Sequence, residues 1–98
     1  MPGRPSEALD CNRETIRRIV SLHHTTNPRV FGSSLDRTDT ADSDLDLIVD
    51  TLPGVTLLDL GGLQADLEEA LGFRVDVLTP GDLPRKYRET VLQKAEPV

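Results

Sequence analysis

The stretch FGSSLDRTDTADSDLDLIVD, from Phe31 to Asp50, decides the reading of this chain. It holds six aspartates against one basic residue, Arg37, and yet it ends in Leu45, Leu47, Ile48 and Val49, the material of a core. From Asp44 onward acids and leucines alternate. Side chains alternate faces along a strand, so Leu45, Leu47 and Val49 point one way while Asp44, Asp46 and Ile48 point the other. Upstream, Arg29-Val30-Phe31 reads as a short strand that stops at Gly32. Two strands joined by a glycine-serine turn and an acidic loop are therefore expected here.

Working outward, Met1 to Pro5 reads as a loose tail and residues 6–98 as a single domain. Ser6 is a possible cap for a helix running to about His23, with Leu9, Ile16, Ile19 and Val20 at helical spacing. Asn27-Pro28 breaks that pattern. Pro53-Gly54 marks a turn, and Thr56 with Asp59 three residues later resembles a capping box. The helix that follows carries Leu60, Leu63, Leu67 and Leu71 on one stripe and stops at Gly72. Phe73 to Leu78 reads as another strand, with Val75 and Val77 facing one side and Arg74, Asp76 and Leu78 the other. A last helix, about Asp82 to Ala95, puts Leu83, Tyr87 and Val91 on one face. The order predicts an α/β (α+β) domain with a small mixed sheet of three to four strands packed with helices.

The 98-residue length allows one modest core. With Phe31, Phe73 and Tyr87 its only aromatics, the chain lacks platforms for stacking single-stranded bases. The net charge of −6 argues against direct nucleic-acid binding by the chain alone. The lone Cys11 cannot form an internal disulfide, which fits a cytoplasmic protein. No apolar run approaches the ~20 residues of a membrane span, so no membrane association is expected.

Asp44 and Asp46 lie on one strand face, about 7 Å apart along the chain. Asp76 has the same local setting on a second strand. If those strands are neighbours, three carboxylates converge, and a divalent cation would relieve their repulsion. An oxygen-only donor set selects Mg²⁺ or Mn²⁺. Gly32-Ser33 can let backbone approach a ligand and present N–H groups at the start of a helical turn, which suits phosphate. Taken singly, Asp-x-Asp also fits the polar face of an exposed strand and Gly-Ser an ordinary turn. Together they compose a nucleoside triphosphate site.

Gly32-Ser33, ten intervening residues and then Asp44-Leu45-Asp46 resemble the signature of the polymerase-β-type nucleotidyltransferase superfamily, with Asp76 where the third carboxylate of that family stands. The short chain looks like a minimal nucleotidyltransferase (MNT), a group commonly found as antitoxins of HEPN-domain RNase toxins. The resemblance implies transfer of AMP from ATP onto a tyrosine hydroxyl of the toxin, within a hetero-oligomer of the two. It implies two Mg²⁺ ions held by Asp44, Asp46 and Asp76, with Asp76 also a candidate base. Gly32 and Ser33 would hold phosphates. Many members carry a basic residue three or four positions after the serine; here the segment is Ser34-Leu35-Asp36-Arg37, which leaves Arg37 as the phosphate-contacting candidate. Two alternatives stand beside this reading. One is a non-catalytic antitoxin that only binds its toxin. The other is nucleotidyl transfer to a small molecule such as an aminoglycoside, which a chain this short, without a second domain as lid, makes less apt. Asp39 and Asp42 are expected to be solvated loop residues, His23 and His24 to end a helix, and Tyr87 to anchor the last helix in the core.

Overall fold

Leu45, Leu47 and Val49 are fully buried, and the sheet is built around the strand that carries them. The computed structural model describes residues 2–98. Its elements are α1 (Pro5–Cys11), α2 (Arg13–Ser21), β1 (Thr25–Phe31), α3 (Ser33–Asp36), β2 (Leu45–Thr51), α4 (Leu57–Leu71), β3 (Val75–Leu78), α5 (Arg85–Lys94) and β4 (Glu96–Pro97), with a 3₁₀ turn at Pro80–Asp82. The strands lie in the order β3-β2-β1-β4. β2 and β3 run parallel, joined by the helical crossover that a parallel pair requires. β1 is antiparallel to both of its neighbours.

One face of the sheet is the core. Val30, Leu45, Leu47, Val49 and Val75 pack there against Leu9, Ile16 and Val20 of α1 and α2 and against Leu63, Leu67 and Leu71 of α4. The α4 boundaries follow from local chemistry. The Thr56 hydroxyl accepts from Asp59 N–H at 3.2 Å while Asp59 accepts from Thr56 N–H at 2.9 Å. Gly72 ends the helix at φ +77°. On the opposite face the strands place Ile48 beside Leu78, and Ile48 is buried where the 3₁₀ turn packs over β2.

Several expectations are revised. The first helix is two, parted at Asn12, whose backbone turns to φ −132°, ψ 23° and whose side-chain amide donates to the Ala8 carbonyl at 2.8 Å. Ser6 is not its cap: α1 begins at Pro5, and Ser6 N–H donates instead to Asp39 Oδ2 at 2.7 Å. Met1 lies outside the described residues, and Pro5, assigned to the tail, is buried. β1 starts four residues earlier than expected, at Thr25, because a bulge with Asn27 at φ +53° absorbs Asn27-Pro28. The two-residue β4 has no strand signature in Glu96-Pro97; it exists through pairing with Arg29 and Val30 and through Val98 N–H donating to the Pro28 carbonyl at 3.0 Å.

Candidate active site

The register of the three inner strands assembles the site. Asp46 is paired with Phe31 on one side and with Asp76 on the other. Paired residues project from the same face of a sheet at a strand spacing of about 4.8 Å. Asp46 and Asp76 thus stand side by side on the face turned away from the core. Asp44 is two residues earlier on the same face, and Arg74 stands across from it, two residues before Asp76. Arg74 Nε donates to Asp44 Oδ1 at 3.2 Å. Asp46 and Asp76 thus lie on β2 and β3, with Asp44 and Arg74 on the residues that lead into those strands.

Burial pushes the Asp46 carboxyl up to about 6, and the charges of Asp76 and then Asp44 push it the same way. A carboxylate opposed by two others is a site that lacks positive charge. Gly32 closes the site from β1. Its φ of +72° favours glycine, and a Cβ there would lie 2.6 Å from Asp46 Oδ2. The close approach foreseen for Gly32 is therefore made to the central carboxylate of its own chain. Ser33 opens α3, so its N–H, like that of Ser34, has no intrahelical acceptor.

Not every expected group gathers here. Among the described residues no three Asp, Glu, His or Cys side chains form a ready-made metal cage, and Asp44 is paired with Arg74. Arg37 is turned to α1, where it donates to both Asp10 oxygens at 2.6 and 3.1 Å and its hydrogen bond holds the Asp10 carboxyl below the usual range. Asp39 is buried rather than solvated, since it accepts the Ser6 N–H of α1. Tyr87 is no core anchor; it is exposed, with the Lys86 ammonium 5.6 Å from its ring centre. His23 pairs with Asp66 at 2.7 Å and His24 with Asp59 at 3.5 Å, both on α4. The role of Arg74 was missed by sequence reasoning, although its two-residue offset from Asp76, matching Asp44 to Asp46, was the available signal.

A cleft of about 350 Å³ flanks the Asp44–Arg74 pair, between the 41–44 loop and Gly72-Phe73-Arg74. The donor set would suit a divalent cation in its chemistry, since every candidate ligand is a carboxylate oxygen.

A mixed sheet bearing paired carboxylates beside a glycine-serine turn defines an enzyme class, that of the nucleotidyltransferases. The family model described as a nucleotidyltransferase domain matches residues 13–97, and the chain belongs to that family. A relative from Methanocaldococcus jannaschii, named as a candidate protein adenylyltransferase, is 34% identical over 85 residues, covering 84% of this chain and 91% of its own. A solved structure of a candidate minimal nucleotidyltransferase superposes with a TM-score of 0.85 at 40% identity, covering 95% of each chain. A toxin–antitoxin structure with AMP-PNP shares the fold, with a TM-score of 0.74 at 19% identity over 88% of this chain and 71% of that one. A mutant MntA–HpeT toxin–antitoxin structure does so at 0.71 and 16%, over 88% and 70%.

Proposed function

We propose that this nucleotidyltransferase transfers AMP from ATP to a tyrosine hydroxyl of a cognate HEPN RNase toxin and so neutralises it as an antitoxin. The observation that carries the reading is Asp46 held between Gly32 and Asp76, with its carboxyl raised to about 6. The names of the relatives support the protein acceptor and the toxin context.

In this reading Asp44, Asp46 and Asp76 would hold Mg²⁺, two ions in all. The bound ions would neutralise the triphosphate and steady the entering and leaving oxygens. Gly32 and Ser33 orient the β- and γ-phosphates through backbone N–H and the hydroxyl. Asp76, the exposed member of the central pair, receives the proton of the acceptor hydroxyl. The acceptor oxygen bonds to the α-phosphorus, the α–β bridging bond breaks, and pyrophosphate leaves. Arg37 can reach phosphate only by releasing Asp10. Arg74 pairs with Asp44, and a cation held by Asp44 would compete with that guanidinium.

The test is incubation with labelled ATP, Mg²⁺ and the protein encoded by the adjacent gene. Label on a partner tyrosine is expected; an unlabelled partner in the presence of folded protein overturns the reading. The Asp44–Arg74 pair favours one alternative, a domain that neutralises its toxin by binding alone. Full neutralisation by the Asp44→Asn, Asp46→Asn double variant would establish that alternative.

A further inference from the structure

Next to the glycine-serine turn lies a group of buried polar atoms that the proposed chemistry does not use. Ser6 on α1, Ser34 on α3 and Asp39 in the loop after α3 are 0%, 2% and 3% exposed. α1 packs on α3, and Ser6 N–H donates to Asp39 Oδ2 at 2.7 Å, so the three segments meet in one place. The remaining polar atoms of these side chains, Ser6 Oγ, Ser34 Oγ and Asp39 Oδ1, are buried without a hydrogen-bond partner. Buried polar groups are otherwise paired with few exceptions. Among the described residues five such side-chain atoms are left over, and three of the five fall here, so the place itself calls for an explanation.

Asp39 also lacks a counter-charge. Arg37, two positions earlier, is engaged by both oxygens of Asp10. Among the described residues no ion pair includes Asp39. A buried carboxylate is costly unless it is paired, and one amide N–H leaves most of its charge uncompensated. A water molecule would satisfy hydrogen bonds here but not the charge. The free donors are oxygens only, one of them charged and two neutral, a set that suits a hard cation of single charge. Ca²⁺ draws on more oxygens and usually on several carboxylates, and Mg²⁺ keeps several waters, which suits an open site better than a buried one. We propose that Ser6, Ser34 and Asp39 hold a dehydrated alkali-metal cation, Na⁺ or K⁺, between α1 and α3. The ion ties α1 to the short helix that Ser33 opens. It is separate from the cation of the proposed transfer chemistry, so the inference stands whether or not the chain transfers AMP.

The experiment melts the full chain in EDTA, followed by circular dichroism, with KCl, NaCl or choline chloride supplying the same ionic strength. Choline is too large for a buried site. The melting temperature should be at least about 4 °C higher in KCl or in NaCl than in choline chloride. That difference should vanish in Asp39→Asn and shrink in Ser34→Ala. Comparing salts within each variant removes the variant's own loss of stability from the reading. A crystal structure of wild type in the stabilising salt should then place the ion at Asp39 Oδ1, with thallium(I) in place of K⁺ giving an anomalous peak, or Na⁺ recognised by oxygen contacts shorter than a water makes. Equal melting temperatures in the three salts overturn the proposal. So does a salt difference that survives in Asp39→Asn, or a water found at that position in the crystal. Asp46→Asn separates this site from the carboxylate face: it should keep the full salt difference, and its loss there would assign the ion to that face instead.

Discussion

Gly32 is where backbone freedom and active-site geometry meet. Its positive φ already disfavours any other residue, and an added methyl would press on Asp46 Oδ2. Gly32→Ala should therefore cost about 1–3 kcal/mol in urea denaturation. It should also lower nucleotidyl transfer on the order of 100-fold, since small displacements of reacting groups have effects of that size. The Asp46 carboxyl carries a second prediction. Its folded pKa of about 6 lies above the ordinary 3.8, so the folded state holds that proton more tightly than the unfolded chain does. Protonation stabilises the fold at low pH, and that contribution fades as pH rises through about 6. In metal-free buffer Asp46→Asn should melt above wild type at pH 7.5, with the difference vanishing near pH 4. Equal melting temperatures at both pH values would show that Asp46 is relaxed without a cation.

Among the elements, α1 is short and has no cap of its own; Asp39 supplies one from 33 residues away. Replacing it with alanine removes the acceptor for Ser6 N–H. Asp39→Ala should lower stability by about 1–2 kcal/mol in chemical denaturation, and Asp39→Asn, which keeps an acceptor oxygen, by less. This contact also shows what the sequence could and could not disclose. β2 was legible because alternation is local and needs no partner, and α4 because its capping box and terminal glycine lie within the helix's own sequence. The strand pairing that sets Asp46 beside Asp76 was only conditional on adjacency, which the crossover through α4 supplies. Asp39 sits in an acidic loop and reads as solvated until α1 is folded against it. β4 and the Asn27-Pro28 bulge were hidden for a related reason, since each depends on its neighbour across the sheet. Tyr87 fitted a helical stripe, but α5 buries none of its residues, so the periodicity there answers to no core.

At the scale of the molecule, charge governs what the site can accept. The chain carries −6, with three carboxylates on the open face of the sheet and Arg37 and Arg74 both held by aspartates. ATP is itself an anion, so ATP without a divalent ion meets repulsion from Asp44, Asp46 and Asp76 and finds no free guanidinium among these. In the proposed reading Mg²⁺ would change the sign of the encounter, as the cation would satisfy the carboxylates and the triphosphate together. Calorimetry should thus detect no binding of ATP in EDTA, weak binding of Mg²⁺ alone, and clear binding of the two together. A ligand that binds only the folded state at 100 times its Kd adds about 2.7 kcal/mol of stability. Mg²⁺ with ATP should accordingly raise the melting temperature by several degrees where either alone does little. The same addition to the Asp44→Asn, Asp46→Asn variant should leave it unmoved, because the carboxylates that would hold the cation, and through it the triphosphate, are gone. Binding of free ATP by wild type in EDTA would mean that the nucleotide is held by groups other than this carboxylate face.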